Sequence, residues 1–135
     1  MGSNDEIIQE AVAEIGVALK DAEGVLFHQR RLAFLISAGG VALLESFLQK
    51  RQVLKPGAKL NHQWFKKNKE NVKKIIARQL SSPIESITEI DKFLDRLYSL
   101  EKERNQLAYG KKSTEEKMKT LIDKFLDFKK EAENV

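Results

Sequence analysis

Apolar residues recur with a helical period along almost the whole chain. Over residues 4–22, Ile8, Val12, Ile15, Leu19 and Ala22 are spaced by four, three, four and three positions, one stripe of an amphipathic helix. Asn4 or Asp5 serves as its cap, and acids follow in the first turn, where the helix dipole favours them. Gly24 ends or bends this helix, the alternative being a helix that runs on to about His28. Gln29 to Lys50 reads differently. Leu32, Leu35, Ile36, Ala38, Val41, Leu44, Phe47 and Leu48 cover most of a helical circumference, which places this helix at the centre of a bundle. Gly39 and Gly40 interrupt it in composition but not in phase. Two mid-helix glycines cost roughly 1 kcal/mol each relative to alanine. Close approach of a neighbouring helix, or of a second subunit, is the expected compensation.

Val53 to Lys59, with Pro56-Gly57, is a turn-rich linker. Asn61 then caps a third helix over residues 62–80, and Leu60 packs on Phe65 as a hydrophobic staple. Trp64 or Phe65, Val72, Ile75, Ile76 and Leu80 form its apolar face. Ser82-Pro83-Ile84-Glu85 reads as a capping box with proline in the first turn. The fourth helix carries Ile84, Ile87, Ile90, Leu94, Leu97 and Tyr98, ends near Tyr109 and stops at Gly110. A second capping box, Ser113-Thr114-Glu115-Glu116, opens a fifth helix through Met118, Leu121, Ile122, Phe125 and Phe128. No useful length alternates with period two. The expectation is therefore one all-α domain over residues 1–135, an up-and-down bundle of four or five helices.

Composition narrows the chemistry. The 135 residues are 41% hydrophobic and 33% charged and include no cysteine, which excludes disulfides, thiolate metal sites and a cysteine nucleophile. No apolar run comes near the ~20 residues that span a bilayer. Met1-Gly2-Ser3-Asn4-Asp5-Glu6 is polar and acidic, unlike a signal peptide, so a soluble, cytoplasmic protein is expected. Charge is uneven within the net +4. Lys50 to Arg78 holds ten Lys or Arg against one acid, Glu70. Such a block suits a polyanion partner, and on the third helix it presents Lys66, Lys67, Lys69, Lys73, Lys74 and Arg78. A solvated lysine face accounts for the same residues.

Metal and nucleophile chemistry find little purchase. His28 and His62 have no carboxylate at ligand-pair spacing, and no phosphate-binding glycine loop or nucleophile elbow occurs, so neither metal nor cofactor is expected. His28, beside Gln29-Arg30-Arg31, reads as part of a solvated basic corner, and His62 as a surface or capping residue. Groups suited to phosphate gather instead at the end of the fourth helix, in Glu103-Arg104-Asn105-Gln106-Leu107-Ala108-Tyr109-Gly110. Arginine forks onto phosphate and asparagine donates to its oxygens. Five positions separate Arg104 from Tyr109, roughly 140° around a regular helix, so convergence would need the helix to loosen at its end. A helix terminus with Arg for the dipole, Asn for local bonding and Gly as stop explains the same segment.

Arg104-Asn105-Gln106-Leu107-Ala108-Tyr109-Gly110 resembles the signature of HEPN domains, which include nucleotidyltransferase-associated helical domains. Their typical form is Arg-Asn-x-x-x-His, often followed by Gly, late in the penultimate long helix of an all-α bundle. The leading amphipathic helix, the small-residue-rich central helix and the Pro56-Gly57 turn are similar to the family plan. The resemblance implies a homodimer with two motifs facing one cleft. It also implies metal-independent RNase chemistry, in which the His helps activate the ribose 2′-hydroxyl and the Arg helps stabilise the phosphorane. A nucleotidyltransferase partner, as toxin and antitoxin, is a further implication. Tyr109 stands where the family has His. A phenol is a poor base at neutral pH and an imidazole a competent one. The expectation is RNA or nucleotide-phosphate binding through Arg104 and Asn105, with cleavage weak or lost. The alternative is a non-catalytic helical interaction module, a dimeric scaffold or toxin–antitoxin partner.

Overall fold

The computed structural model describes residues 2–134, and they form an all-α bundle. Five helices follow in order: α1 (Ser3–Lys20), α2 (Gln29–Lys50), α3 (Lys69–Ala77), α4 (Ile90–Tyr109) and α5 (Glu115–Glu133). Short 3₁₀ turns at Val25–His28, His62–Lys66 and Ile84–Ser86 lie between them. Among the described residues there is no strand. One antiparallel bridge, Leu54 to Leu80, ties the Pro56-Gly57 linker to the end of α3, with Lys55 N–H donating to Gln79 and Ser81 N–H to Val53.

The central position of α2 follows from its all-round apolarity. It spans Gln29–Lys50, as its pattern predicts, and packs against α1, α4 and α5. Leu32, Leu44 and Leu48 are fully buried along it. The two glycines sit at these contacts. A Cβ on Gly39 would lie 2.8 Å from the Phe125 ring and 3.3 Å from Ala11 Cβ. A Cβ on Gly40 would lie 2.8 Å from a methyl of Leu97. Their compensation is therefore close packing of α1, α4 and α5 within one chain, since the space a side chain would fill is already occupied. The same helix, with its preceding turn, is long and apolar enough to cross a membrane (Val25–Lys50, mean hydropathy 1.6), contrary to the expectation that no run came near that length. Seventy-two per cent of that window is buried against the other helices.

Several local expectations give way to packing. The buried face of α1 is Ile8, Ala11, Ile15 and Ala18, whereas Val12 and Leu19 are exposed and Ala22 lies beyond the helix end. Small residues prevail because α1 lies close against the glycine-bearing stretch of α2, where alanine fits. Asn4 does not cap α1, and neither does Asp5. The amide of Asn4 donates to Glu45 of α2 at 3.0 Å. The helix stops at Lys20 rather than running to His28, and Gly24 takes φ +95 in the following turn.

The predicted helix over 62–80 is two pieces. Asn61 accepts from Gln63 N–H and caps only the 3₁₀ turn, while Asn68 accepts from Asn71 N–H and starts α3 afresh. Asparagine competes for backbone donors in this way and breaks a helix that charge and apolar pattern alone would continue. The Ser82-Pro83 box also fails to form. Ser86 Oγ donates to Pro83 O, Ile84 buries from the 3₁₀ turn and Ile87 from the residue that ends it, and α4 begins only at Ile90. At the far end the prediction holds, because α4 ends at Tyr109 with Gly110 as its cap. Gly110 N–H donates to Gln106 O at 2.7 Å. Its φ of −88 is open to any residue, but a Cβ would collide with that carbonyl. α5 is capped by Thr114, which accepts from Lys117 N–H, one residue later than the predicted box.

Candidate functional site

The C-terminal end of α4 is held by a residue the pattern does not single out. Gln29, buried at the start of α2, donates through Nε2 to Leu107 O at 2.9 Å and to Lys111 O at 3.2 Å. Its Oε1 accepts from Ser113 N–H at 2.8 Å. One side chain thus satisfies two carbonyls and an amide across the α4–α5 connection, groups that a helix end otherwise leaves without partners. That clamp gives the Arg104 segment a defined position against α2.

Arg104 and Tyr109 meet on an unforeseen residue, Phe34 of α2, and Asn105 joins them through Arg104. The Arg104 guanidinium lies 5.0 Å from the centroid of the Phe34 ring, a cation–π distance. Tyr109 meets the same ring edge-on, with centroids 5.8 Å apart and planes at 80°. Asn105 Oδ1 accepts from Arg104 at 3.4 Å. No loosening of α4 is required, contrary to the helical-wheel expectation. The helix is regular to its end, and two long side chains close the angular gap on a shared ring. Phe34 is 38% exposed and Tyr109 71%, so the cluster opens to solvent. Arg104 makes no ion pair among the described residues. A signal for Phe34 did exist in the sequence: a phenylalanine three positions after Arg31, on the polar side of an otherwise buried helix.

One turn deeper, Glu101 is buried and accepts from Ser37 Oγ, while its other carboxylate oxygen has no partner. Sequence reading missed both residues, because their polarity is visible in sequence and their burial is not.

The basic block does not join this cluster. Lys69 pairs with Asp95 at 3.1 Å, and Lys73 with Asp91 at 2.9 Å. The Lys73 ammonium holds Asp91 below the ordinary carboxylate range and is itself raised by that bond. Lys66, Lys67, Lys74 and Arg78 are exposed, on a segment broken at Asn68. Asp95 precedes Arg104 by nine positions and Asp91 by thirteen, so the paired lysines lie about 14–20 Å from Arg104 along α4. Two of the six predicted phosphate-binding side chains are thus engaged by acids.

His28 is not part of a solvated corner. It is buried, and its ring nitrogens meet Glu14 at 2.6 Å and Asp21 at 2.7 Å. Both nitrogens are occupied, so neither is free to act as a base. The bond to Asp21, then that to Glu14, raises the His28 pKa against the opposing effect of burial. Asp21 is lowered, first by Glu23 N–H and then by His28. Arg31 adds a distant contact to Glu14 at 3.9 Å. The sign follows from linkage: a raised folded-state pKa contributes stability that is complete below about 6.5 and is lost as pH rises through the raised value. Melting temperatures from pH 6 to 9 should therefore decline more steeply for the wild type than for His28→Gln. Parallel curves would mean that the imidazole is not held as a cation.

No protein-family model, no curated protein and no solved structure matches this chain.

Proposed function

We propose that this chain is a HEPN-like protein that binds RNA or nucleotide phosphate at the end of α4 through Arg104 and Asn105. The observation that carries this reading is a half-buried arginine with no carboxylate partner among the described residues, over the solvent-facing Phe34 ring, in a chain with 20 acids available to pair with it. Stacking on an aromatic face restrains the guanidinium and leaves N–H donors for a forked contact to phosphate oxygens. Asn105 adds an amide to the same exposed end, and Tyr109 adds a ring on which a base can stack. A homodimer with two such ends facing one cleft is part of the proposal. Cleavage is weak or lost in it, because Tyr109 occupies the place of the base and His28 is committed to Glu14 and Asp21.

Binding of single-stranded RNA by wild type and Arg104→Ala at two salt concentrations tests the site. Loss of one charge-assisted contact should weaken binding by about tenfold at low salt. The slope of log affinity against log salt should fall by about 0.7 for one phosphate contact to a single strand. Unchanged affinity and slope in the variant would refute the site and assign any binding to the exposed lysines. A second reading, a non-catalytic dimeric scaffold or toxin–antitoxin partner, draws on the exposure of the Phe34 and Tyr109 rings, which suit a protein contact equally well. It predicts that Arg104→Ala changes the oligomeric state and leaves RNA binding untouched.

A further inference from the structure

Phe27 is the most exposed large apolar side chain among the described residues, at 72%. It belongs to the 3₁₀ turn before α2 and rests edge-on against the His28 ring, with centroids 5.8 Å apart. Beside it is a cavity of about 370 Å³, lined among others by Phe27, Arg30, Arg31, Gly110 and Lys112. That volume is at the small end of the range for ligand sites. No acid lines it. Arg30 and Lys112 make no ion pair among the described residues, and Arg31 has only the 3.9 Å contact to Glu14. An exposed ring beside two unpaired cations, Arg30 and Lys112, is costly to keep in water and has the parts of a stacking platform for a base with an adjoining phosphate.

The cavity adjoins the Arg104 cluster. Gly110 lines it and directly follows Tyr109. Arg30 and Arg31 lie four and three positions before Phe34, on the same face of α2. Aromatic and basic groups therefore alternate along one surface, from Phe27 through Arg30 and Arg31 to Phe34, Arg104 and Tyr109.

We infer that the Phe27 cavity is a second subsite, which takes an unpaired base on the Phe27 ring and the neighbouring phosphate on Arg30 and Lys112. The ligand is a single-stranded polynucleotide several residues long, running from this cavity to Arg104. Duplex is a poor ligand, because its bases are stacked on one another and unavailable to Phe27. The inference rests on the reading that Arg104 holds a phosphate, and the two are separable by experiment.

The test uses the full chain and fluorescent octanucleotides of adenylate and uridylate, with a blunt, fully paired RNA duplex of equal length as the paired control. Phe27→Ala should weaken octanucleotide binding by about tenfold, in keeping with one lost base stack, while leaving binding of ribose 5-phosphate, which has no base to stack, unchanged. Phe27→Trp should bind at least as well as wild type. Because Phe27 is largely exposed, circular dichroism should show both variants folded. Octanucleotide affinity unaltered in Phe27→Ala, duplex affinity equal to that of the single strand, or no oligonucleotide binding at all would each overturn the subsite. If Phe27→Ala is impaired and Arg104→Ala is not, the cavity stands and the Arg104 reading fails. If only Arg104→Ala is impaired, the reverse holds.

Discussion

Phe93→Ala is expected to destabilise the fold by about 3–5 kcal/mol, the usual cost of truncating a fully buried aromatic side chain. The Phe93 ring stands between Phe47 of α2, at 4.9 Å and 84°, and Phe128 of α5, at 5.3 Å and 56°. These edge-to-face and tilted contacts contribute beyond the area they bury. All three rings are almost fully inaccessible, and they join three helices at one level of the bundle. Domains have total stabilities of about 5–15 kcal/mol, so this one change removes a large share. Thermal unfolding followed at 222 nm should show a midpoint lowered by about 10–20 °C. Phe93→Leu should recover much of the loss, because it refills most of the volume. A drop of only a degree or two for alanine would show that the three rings do not form the core.

Tyr109→His should raise metal-independent RNA cleavage by about 10²-fold, the lower end of what a positioned acid–base group contributes. This expectation depends on the proposed site. The substitution leaves Arg104 and Phe34 in place and puts an imidazole where a phenol now rests at the edge of the Phe34 ring. Tyr109 is mostly exposed, so stability should change little. Cleavage of single-stranded RNA with a chelator present is the measurement, alongside the double variant Arg104→Ala/Tyr109→His. The single variant's rate should climb between pH 5 and 7.5 as the imidazole loses its proton, and the double variant should lose the gain. A Tyr109→His protein that binds RNA normally and cleaves no faster than wild type would end the RNase reading and leave phosphate binding alone.

The two α4 features that matter for these tests were open to sequence reasoning to different degrees. The end of the helix at Tyr109 is written locally, in an apolar period that stops and a glycine that follows. That Arg104 and Tyr109 converge is not, because a helical wheel drawn for one helix cannot include Phe34, seventy positions upstream of Arg104. The lysine block failed in the opposite sense. Its charges are real, but Asp91 and Asp95 of another helix take up Lys69 and Lys73.

The sequence by itself determined the all-helical character, the limits of α2 and the stop at Gly110. Helix period, glycine placement and apolar fraction are properties of neighbouring residues and survive without knowledge of the partner. Tertiary structure decided which face of α1 is buried, where α3 and α4 begin, and why Gly39 and Gly40 are glycines. It also placed His28 between two carboxylates and made Gln29 the clamp on the α4–α5 connection. These depend on free energies of contact between residues far apart in the chain. A buried polar group must find its partner wherever the fold brings one. Small residues prevail over larger apolar ones where two backbones come close, and only the packed bundle specifies where that is.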